Sequence, residues 1–286
     1  MTEHTEKDFD TADMTLKGLH GGVLFINGNE VSTATDDRLL KLPEDVSIIA
    51  YPQEYKSWDT PGPNGVEVYN VFTNAKQINP IVAFFDTLWS QRSYPELIYS
   101  LYLETPVENL KLWDQALTRA KLTATAGNDA HANIGVSLKD SSGKTLLGIQ
   151  LDPYEVSFRL VRLHVFLEET KPLDTTNLLE AVRAGHCFIG FDFLGDSSGF
   201  SFEAENPKER KIQGDQISLQ TETRLRVRTP VASRVVLLKD GAVLLEESGV
   251  TEKDFAISER GVYRVEVYLP QLGNRLWIIS NPIYVR

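Results

Sequence analysis

Short apolar runs and helical segments alternate over the first two thirds of the chain. The runs that predict strands are residues 23–26, 46–50, 66–69, 122–126, 156–166 and 187–189. Apolar residues recur at helical spacing over residues 78–89, 94–102, 107–119 and 178–184, and the last of these ends at Gly185, a favourable C-terminal cap. Strands that alternate with helices predict an α/β unit built on a mostly parallel sheet or a barrel.

The pattern changes after about Gly199, where helical spacing disappears. Short alternating runs follow at residues 200–204, 224–228, 235–239, 243–246, 263–269, 276–279 and 283–285. Asp240-Gly241 lies between two of these runs and is a hairpin signal. This succession of short strands predicts an antiparallel β-sandwich of the immunoglobulin-like type. We therefore expect two domains, at residues 1–198 and 199–286.

The composition is that of a soluble globular protein of 286 residues, of which 42% are hydrophobic and 24% are charged. The formal net charge of −11 argues against a nucleic-acid binder, because the phosphate backbone repels an acidic surface. The charge is compatible with an enzyme that acts on a small molecule and draws local positive charge from metal ions.

The cellular location is predicted from what the apolar segments can do. No apolar stretch approaches the about 18 residues that a membrane span requires, so we expect no membrane contact. The first residues are charged and lack the apolar core of a signal peptide. We expect a cytoplasmic protein, or an exported one if a signal lies upstream of Met1. The single cysteine, Cys187, excludes an intrachain disulfide and a Cys-based zinc site, and its apolar neighbours predict a core position.

Asp129 and His131 are the most informative pair in the chain. They follow the apolar run that leads into Gly127, and alternation in an extended chain puts residues two apart on the same side. Both side chains can then point at one metal ion at the C-terminal end of a strand, where barrel active sites are built. The alternative is a turn with a capping aspartate and a surface histidine.

Other potential ligands lie near the start of the chain. Metal-assisted hydrolysis needs oxygen and nitrogen ligands from several strand ends. His4 lies at the very start, Glu30 lies just past the apolar run 23–26, and Tyr51 directly follows the run 46–50. These groups make a metal site possible around Asp129 and His131.

The order of these groups resembles that of the polymerase and histidinol phosphatase (PHP) family of metallohydrolases. Thr2-Glu3-His4 looks like the family's Thr-Asp-His element, and Gly28-Asn29-Glu30 looks like its Gly-x-Glu element. Ala50-Tyr51-Pro52 stands where the family has Ala-His-Pro, and Gly127-Asn128-Asp129-Ala130-His131 looks like its late Gly-Ser/Asn-Asp-x-His motif. Residues 66–70 and the β-rich C-terminal region also resemble larger members, so the similarity spans nearly the whole chain. Only the late motif is fairly specific.

This resemblance implies a fold, a metal site and an activity. The fold would be a PHP-like (β/α)7 barrel that lacks its first strand, followed by the antiparallel immunoglobulin-like β-sandwich. Divalent transition metal ions (zinc, manganese or iron) would be held by His4, Glu30, Asp129 and His131. Groups that would orient ligands or substrate are Asn128, Asn133 and Tyr51. The implied activity is that of a phosphoesterase, which hydrolyses a small phosphorylated substrate with a metal-activated water.

Two departures from the family pattern weaken the expected site. No His-x-His element exists upstream of His4, so the first strand of the barrel and its ligands are missing. Tyr51 replaces a ligand histidine, and a neutral phenol is a poor ligand for a divalent ion. We therefore expect either a chain truncated at a late start codon or a degenerate member of the family.

Arg162 and His164 are candidate substrate-binding residues. Alternation puts them on one face of the run 156–166, where they could bind an anionic substrate such as a phosphate. The alternative is an ordinary exposed or hydrogen-bonded strand face. Asp192 follows the last barrel-like strand and could ligate metal, but Asp-rich and Gly-rich turns are common.

Two further functions remain open besides a phosphoesterase. The missing first motif and Tyr51 favour a catalytically impaired binding or assembly module. A carbamate or amide hydrolase would use the same site with a different substrate. The sequence shows no recognisable Ser-His-Asp constellation and no Gly-rich phosphate loop.

Overall fold

A computed structural model describes residues 2–4, 16–71, 73, 104–131, 135–139, 145–150 and 153–286, and β-strands dominate this part of the chain. The strands of the first half are β1 (Thr2–His4), β2 (Gly18–His20), β3 (Val23–Phe25), β4 (Gly28–Ser32), β5 (Arg38–Lys41), β6 (Ser47–Ile49), β7 (Gly65–Asn70), β8 (Thr123–Gly127), β9 (Gly135–Lys139) and β10 (Thr145–Gln150). Those of the second half are β11 (Arg162–Val165), β12 (Cys187–Gly190), β13 (Ser201–Glu205), β14 (Arg210–Ile212), β15 (Gln216–Ile217), β16 (Arg224–Lys239), β17 (Ala242–Ala256), β18 (Gly261–Leu269), β19 (Arg275–Ser280) and β20 (Ile283–Val285). The helices are α1 (Val107–Leu117), α2 (Tyr154–Ser157), α3 (Thr175–Ala184) and a 3-10 turn (Pro270–Leu272).

The first sheet contains six strands in the order β1-β4-β5-β6-β7-β8. The pairs β4–β5 and β5–β6 are antiparallel, whereas β1–β4, β6–β7 and β7–β8 are parallel pairs. Strands β2 and β3 form a separate hairpin, and so do β9 and β10.

The second sheet contains ten strands and curls around a core of its own. Its main path runs β11-β12-β19-β18-β16-β13-β14, with β17 paired to β16, and with β20 paired to β18 and β15. All these pairs are antiparallel except β15–β20. The sheet takes strands from both sides of the boundary that the sequence predicts at residue 199.

The PHP-like (β/α)7 barrel predicted from the sequence is wrong. Such a barrel needs a helix after each strand, whereas the described residues contain three α-helices and a largely antiparallel arrangement. The connections at residues 33–37 and 42–46 explain the difference, because a parallel crossover needs a dozen or more residues. Short connections therefore pair β4, β5 and β6 antiparallel. The predicted immunoglobulin-like sandwich is likewise replaced by one curled sheet that includes β11 and β12.

Several individual elements agree with the sequence pattern. Helix α1 and helix α3 lie where helical spacing predicts them, and Gly185 ends α3 with a left-handed φ of 80°. Asp240-Gly241 forms the predicted hairpin between β16 and β17. The predicted strand 156–166 is wrong in its first part, which forms α2 and a turn. The predicted helices 78–89 and 94–102 lie outside the described residues.

A large apolar core lies between the two sheets and positions the site. Val66 and Val68 of β7 and Ala124 of β8 contact Ile189 and other residues of the second sheet in this core. Helix α1 covers it with an apolar face that includes Trp113. Glu67 alternates with the two valines and therefore points to the opposite face of the first sheet. Among the described helices, none has the length and apolar character needed to cross a membrane.

Candidate functional site: a buried carboxylate cluster

Glu67 is the most unusual residue of the first sheet, because its carboxyl group is buried within an otherwise apolar strand. It lies directly over Gly127 of the neighbouring strand, and a Cβ atom at Gly127 would overlap Glu67 Oε1. Asn70 Nδ2 donates a hydrogen bond of 3.2 Å to Glu67 Oε2. Glycine at position 127 is therefore what leaves room for a carboxyl group on this face.

The surroundings of Glu67 disfavour its charged form. The pKa of Glu67 is raised to about 8, mainly by burial and to a smaller extent by the negative charges of Asp129 and Glu30, while the hydrogen bond from Asn70 opposes the rise. At neutral pH the Glu67 carboxyl is thus mostly protonated. The charges that act on it show that three carboxyl groups from β4, β7 and the end of β8 share one environment.

Tyr51 belongs to the same group of side chains. Burial, followed by the charges of Glu30, Asp129 and Glu67 and opposed by Arg38, raises the pKa of its phenol to about 12. Tyr51 therefore stays a neutral phenol at physiological pH. We call Glu30, Tyr51, Glu67 and Asp129 the carboxylate cluster.

Glu30 is anchored by an ion pair. Arg38 Nη1 lies 2.9 Å from Glu30 Oε1, and the Glu30 side chain is 10% exposed. The two residues lie on the paired strands β4 and β5, so the cation is held beside the cluster. His4 of β1 is the register partner of Glu30, which places its backbone next to the cluster.

Asp129 and His131 come together through a turn and not through strand alternation. Strand β8 ends at Gly127, and Asp129 adopts a left-handed φ of 46°. His131 Nδ1 donates a hydrogen bond of 2.8 Å to the carbonyl oxygen of Asp129 and lies 3.4 Å from Asp129 Oδ1. In the neutral ring, this bond places the lone pair on Nε2, the arrangement usual for a metal-ligating histidine.

Asn128 connects the end of β8 to the second sheet. Its Nδ2 donates to the carbonyl oxygen of Val161 at 3.0 Å, and its Oδ1 accepts from Val161 N at 3.2 Å. The amide is thus committed to the backbone next to β11, and it fixes the position of the turn that carries Asp129. Asn133, the other asparagine predicted to orient ligands, lies outside the described residues.

Arg162 and His164 belong to a different group of side chains. Both contact Asp192 Oδ2, from Arg162 Nη1 at 3.2 Å and from His164 Nε2 at 2.9 Å. The His164 ring stacks on Phe188 of the second core, with ring centroids 4.6 Å apart. The contacts described for these two side chains are with Asp192, with Ser197 and with Phe188 in the core of the second sheet, and none is with the carboxylate cluster.

His164, Asp192 and Ser197 form a contact network that the sequence does not reveal, although it is not a nucleophilic triad. Ser197 Oγ donates to Asp192 Oδ1 at 2.6 Å and lies 3.0 Å from His164 Nε2, the same nitrogen that contacts Asp192. A triad needs one imidazole nitrogen for the serine and the other for the aspartate. Ser197 is also fully buried. Burial disfavours a charged Asp192, but bonds from His164 and Ser197 hold its pKa below the ordinary value.

The donor set at the carboxylate cluster suits a cation better than an anion. In the described part of the chain, no three His, Cys, Asp or Glu side chains are already placed as metal ligands. Carboxylate oxygens with an imidazole nitrogen nonetheless suit divalent ions, and a buried carboxyl beside two like charges gains most from one. The chemistry of the residues therefore fits a metal ion.

The raised pKa of Glu67 predicts a pH-dependent stability of the metal-free protein. Between the ordinary range of a carboxyl and about pH 8, folded Glu67 keeps a proton that the unfolded chain releases. The contribution of Glu67 to stability is therefore present at low pH and decreases by on the order of 4 kcal/mol as the pH rises through this window. Thermal unfolding in EDTA should show that Glu67→Gln removes this pH dependence. Parallel pH profiles of the two proteins would instead mean that Glu67 ionises normally.

Comparisons with protein-family models, with curated proteins and with solved structures found no match in any of the three. The residues of the carboxylate cluster are therefore the basis for a functional assignment.

Proposed function

We propose that the carboxylate cluster binds a divalent metal ion and that the protein is a metal-dependent hydrolase of phosphate esters. The observation that carries the proposal is Glu67, a carboxyl group that its burial, with a smaller contribution from the charges of Asp129 and Glu30, keeps mostly protonated at neutral pH. A divalent cation would displace this proton and offset the mutual repulsion of Glu30, Glu67 and Asp129.

Each residue of the cluster has a distinct part in this proposal. Glu67 and Asp129 would hold the ion with oxygen ligands, and His131 would offer Nε2, because its Nδ1 is bound to the Asp129 carbonyl. Tyr51, a neutral phenol, would donate a hydrogen bond to substrate or to a ligand oxygen. Arg38 supplies a positive charge suited to a phosphoryl oxygen, and its ion pair with Glu30 holds it beside the cluster. A divalent ion at such a site supplies Lewis-acid activation of water and neutralises charge on the ester.

The choice of a phosphate ester rests on the ordered motifs from His4 to His131 that resemble the PHP family, and on the charge of Arg38. It does not depend on a barrel. Functional sites recur on unrelated folds, so the residues and their chemistry carry the assignment.

Metal binding is the first test of this proposal. Isothermal titration of chelator-treated protein with Mn²⁺ or Zn²⁺ at about pH 8 should show binding that weakens as the pH falls, because Glu67 must lose its proton. We expect Glu67→Gln and Asp129→Asn to weaken binding by about tenfold or more. Glu54→Gln is the matched control, since Glu54 is exposed and has no part in the cluster.

Hydrolysis of an aryl phosphate is the second test, performed with the metal that binds. Activity that requires the metal and is lost in Asp129→Asn supports a hydrolase. Metal binding without turnover of phosphate, carbamate or amide substrates would mean that the protein is a metal-binding module and not an enzyme. Absence of metal binding in the wild-type protein would end the proposal.

One observation favours the alternative of a binding module. Arg38 already neutralises Glu30, and no three-ligand group is preformed in the described residues. This second kind of binding module would work in its metal-free form, and added metal would leave its thermal stability unchanged, unlike a module that binds metal without turnover.

A further inference from the structure

A second polar cavity lies at the opposite end of β8 from the carboxylate cluster. It has a volume of about 210 Å³ and is bounded by the start of β8, the end of α3, the turn at Gly214 and the segment before β20. Thr123 lines this cavity at the start of β8, whereas Asp129 follows its end, so the two sites are about 20 Å apart along the strand. The cavity is therefore separate from the proposed metal site.

The walls of the cavity are fixed by backbone packing. Gly185 and Gly214 both have left-handed φ angles, and a Cβ atom at Gly214 would overlap the carbonyl of Ala184. Gly214 N donates to the carbonyl oxygen of Pro282 at 2.7 Å. Asn281 bonds to both Ala124 and Cys187, which holds the rear wall against two strands. A ligand would thus meet a preformed pocket, which lowers the ordering cost of binding.

The charge at the cavity is opposite to that of the whole chain. Lys121 and Arg183 line it, and within the described residues neither cation has a carboxylate partner. The Lys121 ammonium lies 4.7 Å above the Tyr284 ring, a contact that fixes its position. Asp215 also lines the cavity, and each of its carboxylate oxygens already accepts a hydrogen bond, from His186 Nε2 at 2.9 Å and from Ile212 N at 3.2 Å.

Hydrogen bonds at the C-terminal end of helix α3 reduce the negative potential that an anion would meet there. The carbonyl oxygens of Ala181 and Val182 accept hydrogen bonds from His186 N and Gly185 N, so the last turn is capped. The Lys121 and Arg183 side chains therefore supply the positive charge that a ligand would meet, beside the Thr123 hydroxyl group, which lies 3.4 Å from the carbonyl oxygen of Arg183.

We propose that this cavity binds a small phosphate anion, either free or as part of a small metabolite, between Lys121 and Arg183. The cavity, at about 210 Å³, is too small for a large ligand, and the oxygens of a phosphate group can accept hydrogen bonds from both a guanidinium and an ammonium group. The site is independent of the proposed hydrolase, because none of its residues belongs to the carboxylate cluster.

Titration calorimetry of the full chain tests this proposal, with inorganic phosphate and glycerol phosphate added at constant ionic strength. EDTA keeps the carboxylate cluster free of metal. We expect Lys121→Ala and Arg183→Ala each to weaken phosphate binding by about tenfold, and Lys208→Ala, an exposed cation elsewhere, to leave it unchanged.

The two ligands distinguish the possible sources of the phosphate. Tighter binding of glycerol phosphate identifies a phosphorylated metabolite, and equal or tighter binding of inorganic phosphate identifies the free ion. Because Lys121 and Arg183 are exposed, unchanged melting temperatures without phosphate should show that the variants fold. The proposal is overturned if neither ligand binds, or if the Lys208 variant loses as much affinity as the other two.

Discussion

Replacement of Arg264 by methionine is expected to lower the free energy of unfolding by about 3–5 kcal/mol. Arg264 is 3% exposed and binds both oxygens of Asp114 at 2.7 Å, while its Nη1 binds Glu266 Oε1 at 2.7 Å. Its guanidinium also lies over the ring of Trp113, 5.4 Å from the centroid. Removal of the cation leaves two buried carboxylates without their partner, which costs more than the lost attraction itself.

Urea denaturation of Arg264→Met and Arg226→Met compares the loss of a buried arginine with the loss of a more exposed one. Arg226 forms a similar two-pronged pair with Asp254 on the exposed side of β16, so we expect its loss to lower the stability far less, because solvent screens the pair. Addition of Asp114→Asn to Arg264→Met should recover part of the stability, because it removes one of the stranded charges. Equal losses for the two single variants would contradict the role given to burial.

Replacement of Asn281 by alanine is expected to cost about 3 kcal/mol or more, since it leaves several buried backbone groups unpaired. The Asn281 side chain is fully buried. Its Oδ1 accepts from Ala124 N at 2.7 Å, and its Nδ2 donates to the carbonyl oxygens of Cys187 at 2.8 Å and Ala124 at 3.2 Å. One amide thus joins β8 of the first sheet to β12 of the second.

Asn109→Ala is the matched control for this experiment. Asn109 is half-buried; its amide donates a bond of 3.0 Å to the carbonyl oxygen of Val68 and accepts an exposed bond of 2.8 Å from Gln53 Nε2. We expect a loss of about 1 kcal/mol there. If chemical denaturation gives similar losses for both asparagines, the backbone groups near Asn281 must find other partners in the variant.

The sequence predicted local elements well where a single residue type determines them. Gly185 ends α3 because glycine tolerates the left-handed conformation, and Asp240-Gly241 fixes a hairpin for the same reason. Cys187 is buried as predicted, and burial raises the pKa of its thiol to about 12. Helix α1 followed from the spacing of its apolar side chains.

The arrangement of the strands could not be predicted in the same way. Apolar runs look alike in parallel and antiparallel pairs, and the PHP-like motifs suggested a parallel barrel. The short connections at residues 33–37 and 42–46 carried the contrary information. Register and sheet order depend on contacts between distant segments, such as that of β12 with β19, which no local pattern encodes.

The candidate site was predicted in part. The sequence indicated Glu30, Tyr51 and Asp129, and the structure brings these three together, but Glu67 was missed as a site residue. Its signal was present, since a single carboxylate inside an apolar strand must be buried or break the pattern. Metal binding by His4, Glu30, Asp129 and His131 remains a prediction, and so does substrate binding by Arg162 and His164.

The pairing of β12 with β19 has a consequence for how the chain reaches its native state during synthesis. Phe188 of β12 meets Ser280 of β19, and Asn281 supplies bonds to both sheets. A nascent chain that has emerged only as far as β12 still lacks these partners, so the edge of β12 that pairs with β19 stays unpaired until the last residues of the chain have emerged. We expect folding to be slow and late, dominated by contacts between distant segments of the chain.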